Sequence, residues 1–162
     1  MYTKAIVRRP GRNFASGITT SNLGKPDFGK ALEQHTAYCE ALKMCGVELT
    51  VLDADERYPD GCFVEDTAVA NSRVKVVSRP GAATRRGEEE AIAGVLAGSG
   101  PTESITAAGT LEGGDVLRAE NHYYIGISER TNTEGASQLS AILAKHGFTS
   151  SVVRVEAGLH LK

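Results

Sequence analysis

A recurrence near fifty residues constrains this chain more than any other feature. Three segments with helical apolar spacing close at glycines: Gly46, Gly98 and Gly147. The first opens at Pro26 and carries Phe28, Ala31, Leu32, Tyr38, Cys39, Leu42 and Cys45. The second runs from Arg86 to Ala97 with a Glu-rich first turn, which complements the helix dipole. The third, Asn132 to His146, is apolar at Ala136, Leu139, Ile142 and Leu143. Strand-like runs fill the intervals. They are Tyr2–Val7, Val47–Leu52, Cys62–Ala70 with Val74–Val77, Ser104–Ala107, Leu111–Leu117 with His122–Ile127, and Ser151–Val155. Acidic motifs at Glu65 and Glu112 keep the same period. The pattern predicts an α/β chain of repeated units, within a single domain over 1–162; an ordinary α/β domain with regular elements is the alternative.

Composition excludes several classes. Eighteen basic and twenty acidic residues leave a net charge of −2, which gives no electrostatic footing for nucleic acid. No apolar run approaches the ~20 residues of a bilayer span. The first ten residues lack a signal-peptide core, so a cytoplasmic location is expected. Cys39, Cys45 and Cys62 cannot all pair, which suits free thiols in a reducing compartment. Asn13 to Lys25 has no apolar period and reads as a long binding loop or lid.

Several polar residues sit where a packed strand would not want them. Phe63-Val64-Glu65-Asp66-Thr67 places adjacent carboxylates in an apolar run. If it is a strand, one of them faces an interior. A solvated strand end and a cation-binding site are both open readings, and carboxylates match the planar N–H fork of a guanidinium. Leu111-Glu112-Gly113-Gly114-Asp115 repeats the theme, with glycines that permit a close approach by ligand or backbone. Arg85 and Arg130 precede helices, where a positive charge opposes the dipole. A bound anion such as an α-carboxylate would explain them; a solvated helix start would too. His35, His122 and His146 read as structural, and the scattered Cys and His show no metal-ligand spacing.

These residues in this order resemble the dimethylarginine dimethylaminohydrolase family of the guanidino-modifying (amidinotransferase, pentein) superfamily. The resemblance rests on Thr20-Ser21-Asn22-Leu23-Gly24-Lys25-Pro26-Asp27, Phe63-Val64-Glu65-Asp66, Ser78-Arg79-Pro80-Gly81 with Arg85-Arg86-Gly87-Glu88, Leu111-Glu112-Gly113-Gly114-Asp115, Ile125-Gly126 with Arg130-Thr131-Asn132, and Leu159-His160-Leu161-Lys162. It implies a five-bladed α/β propeller, with about three blades in this chain. It implies hydrolysis of Nω-methylated arginine to citrulline and a methylamine, without metal or cofactor, by a Cys nucleophile. His160 and Glu112 resemble the family's catalytic residues. Asp66, with Glu65 beside it, resembles its guanidinium-binding acid. Asp60 resembles its α-amino contact, Arg85 and Arg130 its α-carboxylate contacts, and Ile18 the lid residue offering a carbonyl to substrate. None of the three Cys matches the family's nucleophile, which lies further along the chain than Lys162. Residues 1–162 alone are therefore expected to be inactive. A truncated pseudoenzyme or arginine-derivative binding module is one alternative, and arginine deiminase or amidinotransferase chemistry another. Edge strands left open by missing blades would favour a homodimer.

Overall fold

The computed structural model describes residues 2–156 and 158–162. Two compact units divide the chain, Met1–Val64 and Glu65–Lys162.

In the first unit, β1 (Lys4–Arg8) and β2 (Glu48–Leu52) pair in parallel, from Lys4↔Glu48 to Arg8↔Leu52. Helix α1 (Phe28–Met44) connects them. Pro26 does not open this helix: Asp27 caps it by accepting the Lys30 N–H at 2.7 Å, the role an N-cap carboxylate serves. The inward stripe is Ala31, Leu32, His35, Cys39 and Leu42, while Tyr38 and Cys45 are exposed. Both keep i, i+3 spacing to the stripe, from His35 and Leu42, so they lie at its edge and are left uncovered. The expected loop over 13–25 begins with a 3₁₀ turn, Phe14–Ser16, and is exposed from Ile18 onward.

The second unit consists of two successive modules of one design. In the first, β3 (Ala68–Ala70) runs antiparallel to β4 (Lys75–Val77), and α2 (Glu88–Leu96) crosses over to β5 (Thr102–Ser104), parallel to β4. In the second, β6 (Val116–Ala119) runs antiparallel to β7 (His122–Ile127). Helix α3 (Thr133–Lys145) then leads to β8 (Thr149–Arg154), parallel to β7. The mixed α/β class and the internal repeat expected from the spacing are both present. Helices α1 and α3 share one ending. Gly46 and Gly147 take φ +79° and +78°, and the Val47 and Phe148 N–H groups return to the Leu42 and Leu143 carbonyls. Only glycine adopts that conformation without steric cost. Val69, Val74, Val76, Leu111, Val116, Tyr123, Ile125, Leu139, Leu143 and Phe148 form the core of this unit. Among the described residues no helix is long and apolar enough to cross a membrane.

Two expected strands are shorter than the apolar runs suggested. Of Cys62–Ala70 only Ala68–Ala70 is strand, and Val64–Thr67 is a 3₁₀ turn. Of Leu111–Leu117 only the end is strand, and Gly113–Asp115 is again a 3₁₀ turn. Burial gives the reason. Asp66 and Thr67 are both buried, as are all six residues from Leu111 to Val116. An alternating strand cannot bury neighbours on one side. The short strand expected at 104–107 lies instead at Thr102–Ser104, where it continues the β4 ladder. Helix α2 starts at Glu88 rather than Arg86, because Ala83–Arg85 forms a separate 3₁₀ turn.

The two acid-bearing turns touch. A Cβ on Gly113 would lie 2.0 Å from the Glu65 carbonyl oxygen, and one on Gly114 would lie 2.7 Å from the His160 ring. Glycine is required at both positions for the turns to meet. Gly94, inside α2, has open space around it. Gly113→Ala should therefore destabilise the second unit by about 1–3 kcal/mol, the range for overpacking. Gly94→Ala should stabilise it by about 1 kcal/mol through helix propensity. Denaturant midpoints check both, and shifts of the same sign would contradict this packing.

Glu103 on β5 accepts hydrogen bonds from His146 and Lys145 at the end of α3. First His146 and then Lys145 hold its carboxyl below the ordinary range. The sign follows from linkage: the stabilisation is present above the unfolded value near 4.5 and is lost as pH falls through the lower folded value. Glu103→Gln should flatten the acid limb of the stability profile and leave neutral-pH folding intact, as read by urea melts across pH.

Candidate functional site

The acids enter the site from equivalent turns. Asp66 lies in the 3₁₀ turn before β3. Glu112 lies just before the turn that leads into β6, its backbone extended at φ −120°, ψ 139°. Gly114 donates its N–H to Asp66 Oδ1 at 3.1 Å, locking one turn on the other. Glu112 is 1% exposed. Its Oε1 accepts the Gly81 N–H at 3.2 Å, and its own N–H donates to Thr131 Oγ1 at 3.1 Å.

His160 faces both acids. Its Nε2 lies 3.8 Å from Asp66 Oδ1 and 3.7 Å from Glu112 Oε2. On the other edge of the ring, Nδ1 lies 3.5 Å from Asp115 Oδ1. The Asp66, Glu112 and His160 ligand atoms fall within 4.8 Å of one another, a distance that one metal ion could span. The cation that the structure places against these acids is Arg85.

Arg85 comes from the turn that precedes α2 and is 5% exposed. Its Nη1 donates to Asp66 Oδ2 at 2.7 Å and lies 4.0 Å from Glu112 Oε2. Its Nε and Nη2 bond Glu88, the first residue of α2. Burial works against the charge, but the hydrogen bonds that Arg85 donates to Glu88 and Asp66 outweigh it and raise the guanidinium above its ordinary value. The site thus shows, with one of its own side chains, how its carboxylates receive a guanidinium.

Asp66, Arg85, Glu112 and His160 come together in the second unit. Arg130 is half-buried beside Gly81, and its side chain has no ion-pair partner among the described residues. Glu65 points outward and pairs with Lys162 at 2.9 Å. In the first unit the Ile18 N–H donates to both Asp60 oxygens at 3.1 Å, and Asp60 is 8% exposed. Three contributors had no role in the sequence reading: Glu88, Asp115 and Thr131. Glu88 stands three residues after Arg85, a helix-like spacing that suits an ion pair. Asp115 shows in sequence as the second acid of its motif. Thr131 has no signal there.

Comparisons with known proteins identify the family. A family profile described as "N,N dimethylarginine dimethylhydrolase, eukaryotic" matches residues 25–157. An N(G),N(G)-dimethylarginine dimethylaminohydrolase of Pseudomonas aeruginosa is 51% identical, over 100% of this chain and 65% of its own length. One from Streptomyces coelicolor is 40% identical, over 98% of this chain and 62% of its own length. The chain thus spans a little under two thirds of these relatives. A crystal structure of dimethylarginine dimethylaminohydrolase as an adduct with S-methyl-L-thiocitrulline superimposes with a TM-score of 0.96 at 50% identity, covering 100% of this chain and 65% of that one. The N-terminal domain of a cyanobacterial arginine dihydrolase shares the fold at 16% identity and a TM-score of 0.81, over 95% of this chain and 58% of its own. The motifs around Asp66, Arg85, Glu112 and Arg130 all fall inside the matched stretch, and the chain belongs to the N,N-dimethylarginine dimethylhydrolase family.

Proposed function

We propose that this chain forms the guanidinium-binding and proton-transfer part of an enzyme that hydrolyses Nω-methylated arginine to citrulline and a methylamine. The observation that carries the reading is the convergence of Asp66 and Glu112 on His160 Nε2, with a guanidinium already hydrogen-bonded to Asp66. In this reading the two modules are blades of a propeller.

The chemistry follows from the charges. Resonance makes the guanidinium carbon a poor electrophile, so attack requires a thiolate. Carboxylates at Asp66 and Glu112 orient the substrate and balance its charge. The thiolate adds to the carbon, and the tetrahedral adduct expels methylamine, which takes a proton from His160. Water then adds to the thiouronium intermediate, losing its proton to His160. Collapse expels the thiolate and leaves citrulline, whose O–H proton passes through solvent to the released amine. Cys39, Cys45 and Cys62 all lie in the first unit, and the family resemblance assigns the nucleophile to a residue beyond Lys162. Arg130 binds the α-carboxylate, and the roles that the resemblance gives Ile18 and Asp60 belong to the same reading. The free thiols suit a cytoplasmic setting. Binding without turnover is the second reading for residues 1–162, because residues 65–162 contain no Cys.

The test compares residues 1–162 with a chain extended to the relatives' length and carrying the downstream Cys. Calorimetry measures binding of asymmetric dimethylarginine, and a colorimetric assay follows citrulline. Both chains should bind, and only the extended one should form citrulline. Asp66→Asn should weaken binding roughly ten- to hundredfold, the loss of one charge-assisted hydrogen bond of about 1.5–3 kcal/mol. Arg130→Ala should raise KM at unchanged kcat. Arg85→Ala should instead destabilise the fold by about 3–5 kcal/mol, because it strands buried carboxylates. Binding that is indifferent to Asp66→Asn would reject the reading.

A further inference from the structure

We infer that Asp115 is the positioning residue of His160, holding a proton on Nδ1 so that Nε2 is the nitrogen that donates and receives. His160 Nδ1 is buried and has no hydrogen-bond partner among the described residues. An unpaired buried polar atom costs about 1–3 kcal/mol, so such an atom points to an acceptor close by. The carboxylate facing it is Asp115, with Oδ1 at 3.5 Å.

The surroundings of Asp115 fit this task. Its carboxylate is 0% exposed. Oδ2 accepts the Ser128 and Thr131 hydroxyls, each at 2.6 Å. Oδ1 accepts the Leu161 N–H at 3.2 Å. A carboxylate offers about four lone-pair sites. Three are used, and one on Oδ1 remains for the Nδ1–H. The three donors come from the β7–α3 connection and from the residue next to His160, so the carboxylate is fixed from two directions. Thr131 also accepts the Glu112 N–H, which ties the position of this carboxylate to that of Glu112 in front of the ring.

The alternative orienting acid is Glu112. It meets the ring at Nε2, on the same edge as Asp66, and there it competes for the proton that must move. Asp115 lies behind the ring, where a carboxylate can set the tautomer without touching substrate, the arrangement used by an acid–histidine pair. The charged groups around His160 are Asp66 and Glu112 in front, Asp115 behind, Arg85 on the far side of Asp66 and Glu112, and Lys162 paired to Glu65.

Long-range ¹H–¹⁵N correlation spectra of ¹⁵N-histidine-labelled protein test the assignment without substrate. As pH rises, Nε2 should lose its proton and Nδ1 should keep it. Asp115→Ala should make Nε2–H the major neutral tautomer. Thr131→Val removes a buttress but keeps the carboxylate, and should leave the tautomer as in the parent. Loss of the proton from Nδ1 in the parent would overturn the inference, and so would an Asp115→Ala protein that keeps Nδ1–H. The parent spectrum decides the matter even if Asp115→Ala does not fold. The catalytic consequence rests on the proposed hydrolase reading: in the extended chain, Asp115→Asn should lower kcat about tenfold or more at nearly unchanged KM. The tautomer stands apart from it, so failure of the substrate assignment would leave the spectra informative.

Discussion

A guanidinium taken out of water must be met by carboxylates, and much of the second unit follows from that one requirement. Arg85 is almost wholly buried, and Asp66 and Glu88 each bond it directly. Removing two opposite charges from water is expensive, and their attraction repays it only with close geometry. The geometry here comes from two short elements in sequence. A 3₁₀ turn presents Arg85, and the first turn of α2 presents Glu88 three residues later. Asp66 arrives from elsewhere in the chain, and its second oxygen is held by the Gly114 N–H. That hydrogen bond fastens the ion-paired cluster of the first module to the second.

Repetition of the ββαβ design supplies the rest. Each module begins with a 3₁₀ turn that leads into its first strand. Because the modules are alike, their turns fall side by side, and what each carries is brought to one place. The first turn brings Asp66. The second brings Gly113, Gly114 and Asp115, with Glu112 just ahead of it. Glycine at 113 and 114 is the condition for contact, since a methyl group at either position would overlap the Glu65 carbonyl or the His160 ring. The result is an electrostatic arrangement with acids in front of an imidazole and one behind it. Such a site can hold a cation and move a proton. Residues 65–162 contain no Cys, which is why the proposed reaction draws its thiolate from outside them.

The sequence made a good part of this legible. Apolar spacing and closing glycines located three helices, and α1 and α3 end at Gly46 and Gly147 as their left-handed conformation requires. The misplaced acids were visible because carboxylates are rare in apolar runs. Their backbone was misread, since Cys62–Ala70 and Leu111–Leu117 have strand-like composition. What distinguishes the turns there is that neighbours in sequence are buried together, Asp66 with Thr67 and Leu111 through Val116, and such burial is a property of the packed modules rather than of the residues themselves. Tyr38 and Cys45 keep the helical spacing of α1 yet are exposed: apolar character is local, whereas the face that packs is chosen by what lies opposite.

What the sequence determined by itself is the set of elements, their order, their repetition, and the residue types able to do chemistry. Backbone propensity, side-chain period and charge are all written locally. The tertiary structure alone decided who meets whom. Arg85 reads in sequence as a helix-start cation suited to an anion from solution. In the fold it turns inward to Asp66 and Glu88, because two buried carboxylates outcompete water for it. Glu65 and Asp66 are neighbours with the same chemistry, yet one faces solvent and the other the site, a choice made by the direction of a single turn. Asp115 and Thr131 gained their places from a contact between segments 16 residues apart. Long-range hydrogen bonds of this kind leave no periodic trace, since each needs only one suitable group, at a position that the packing of both modules selects.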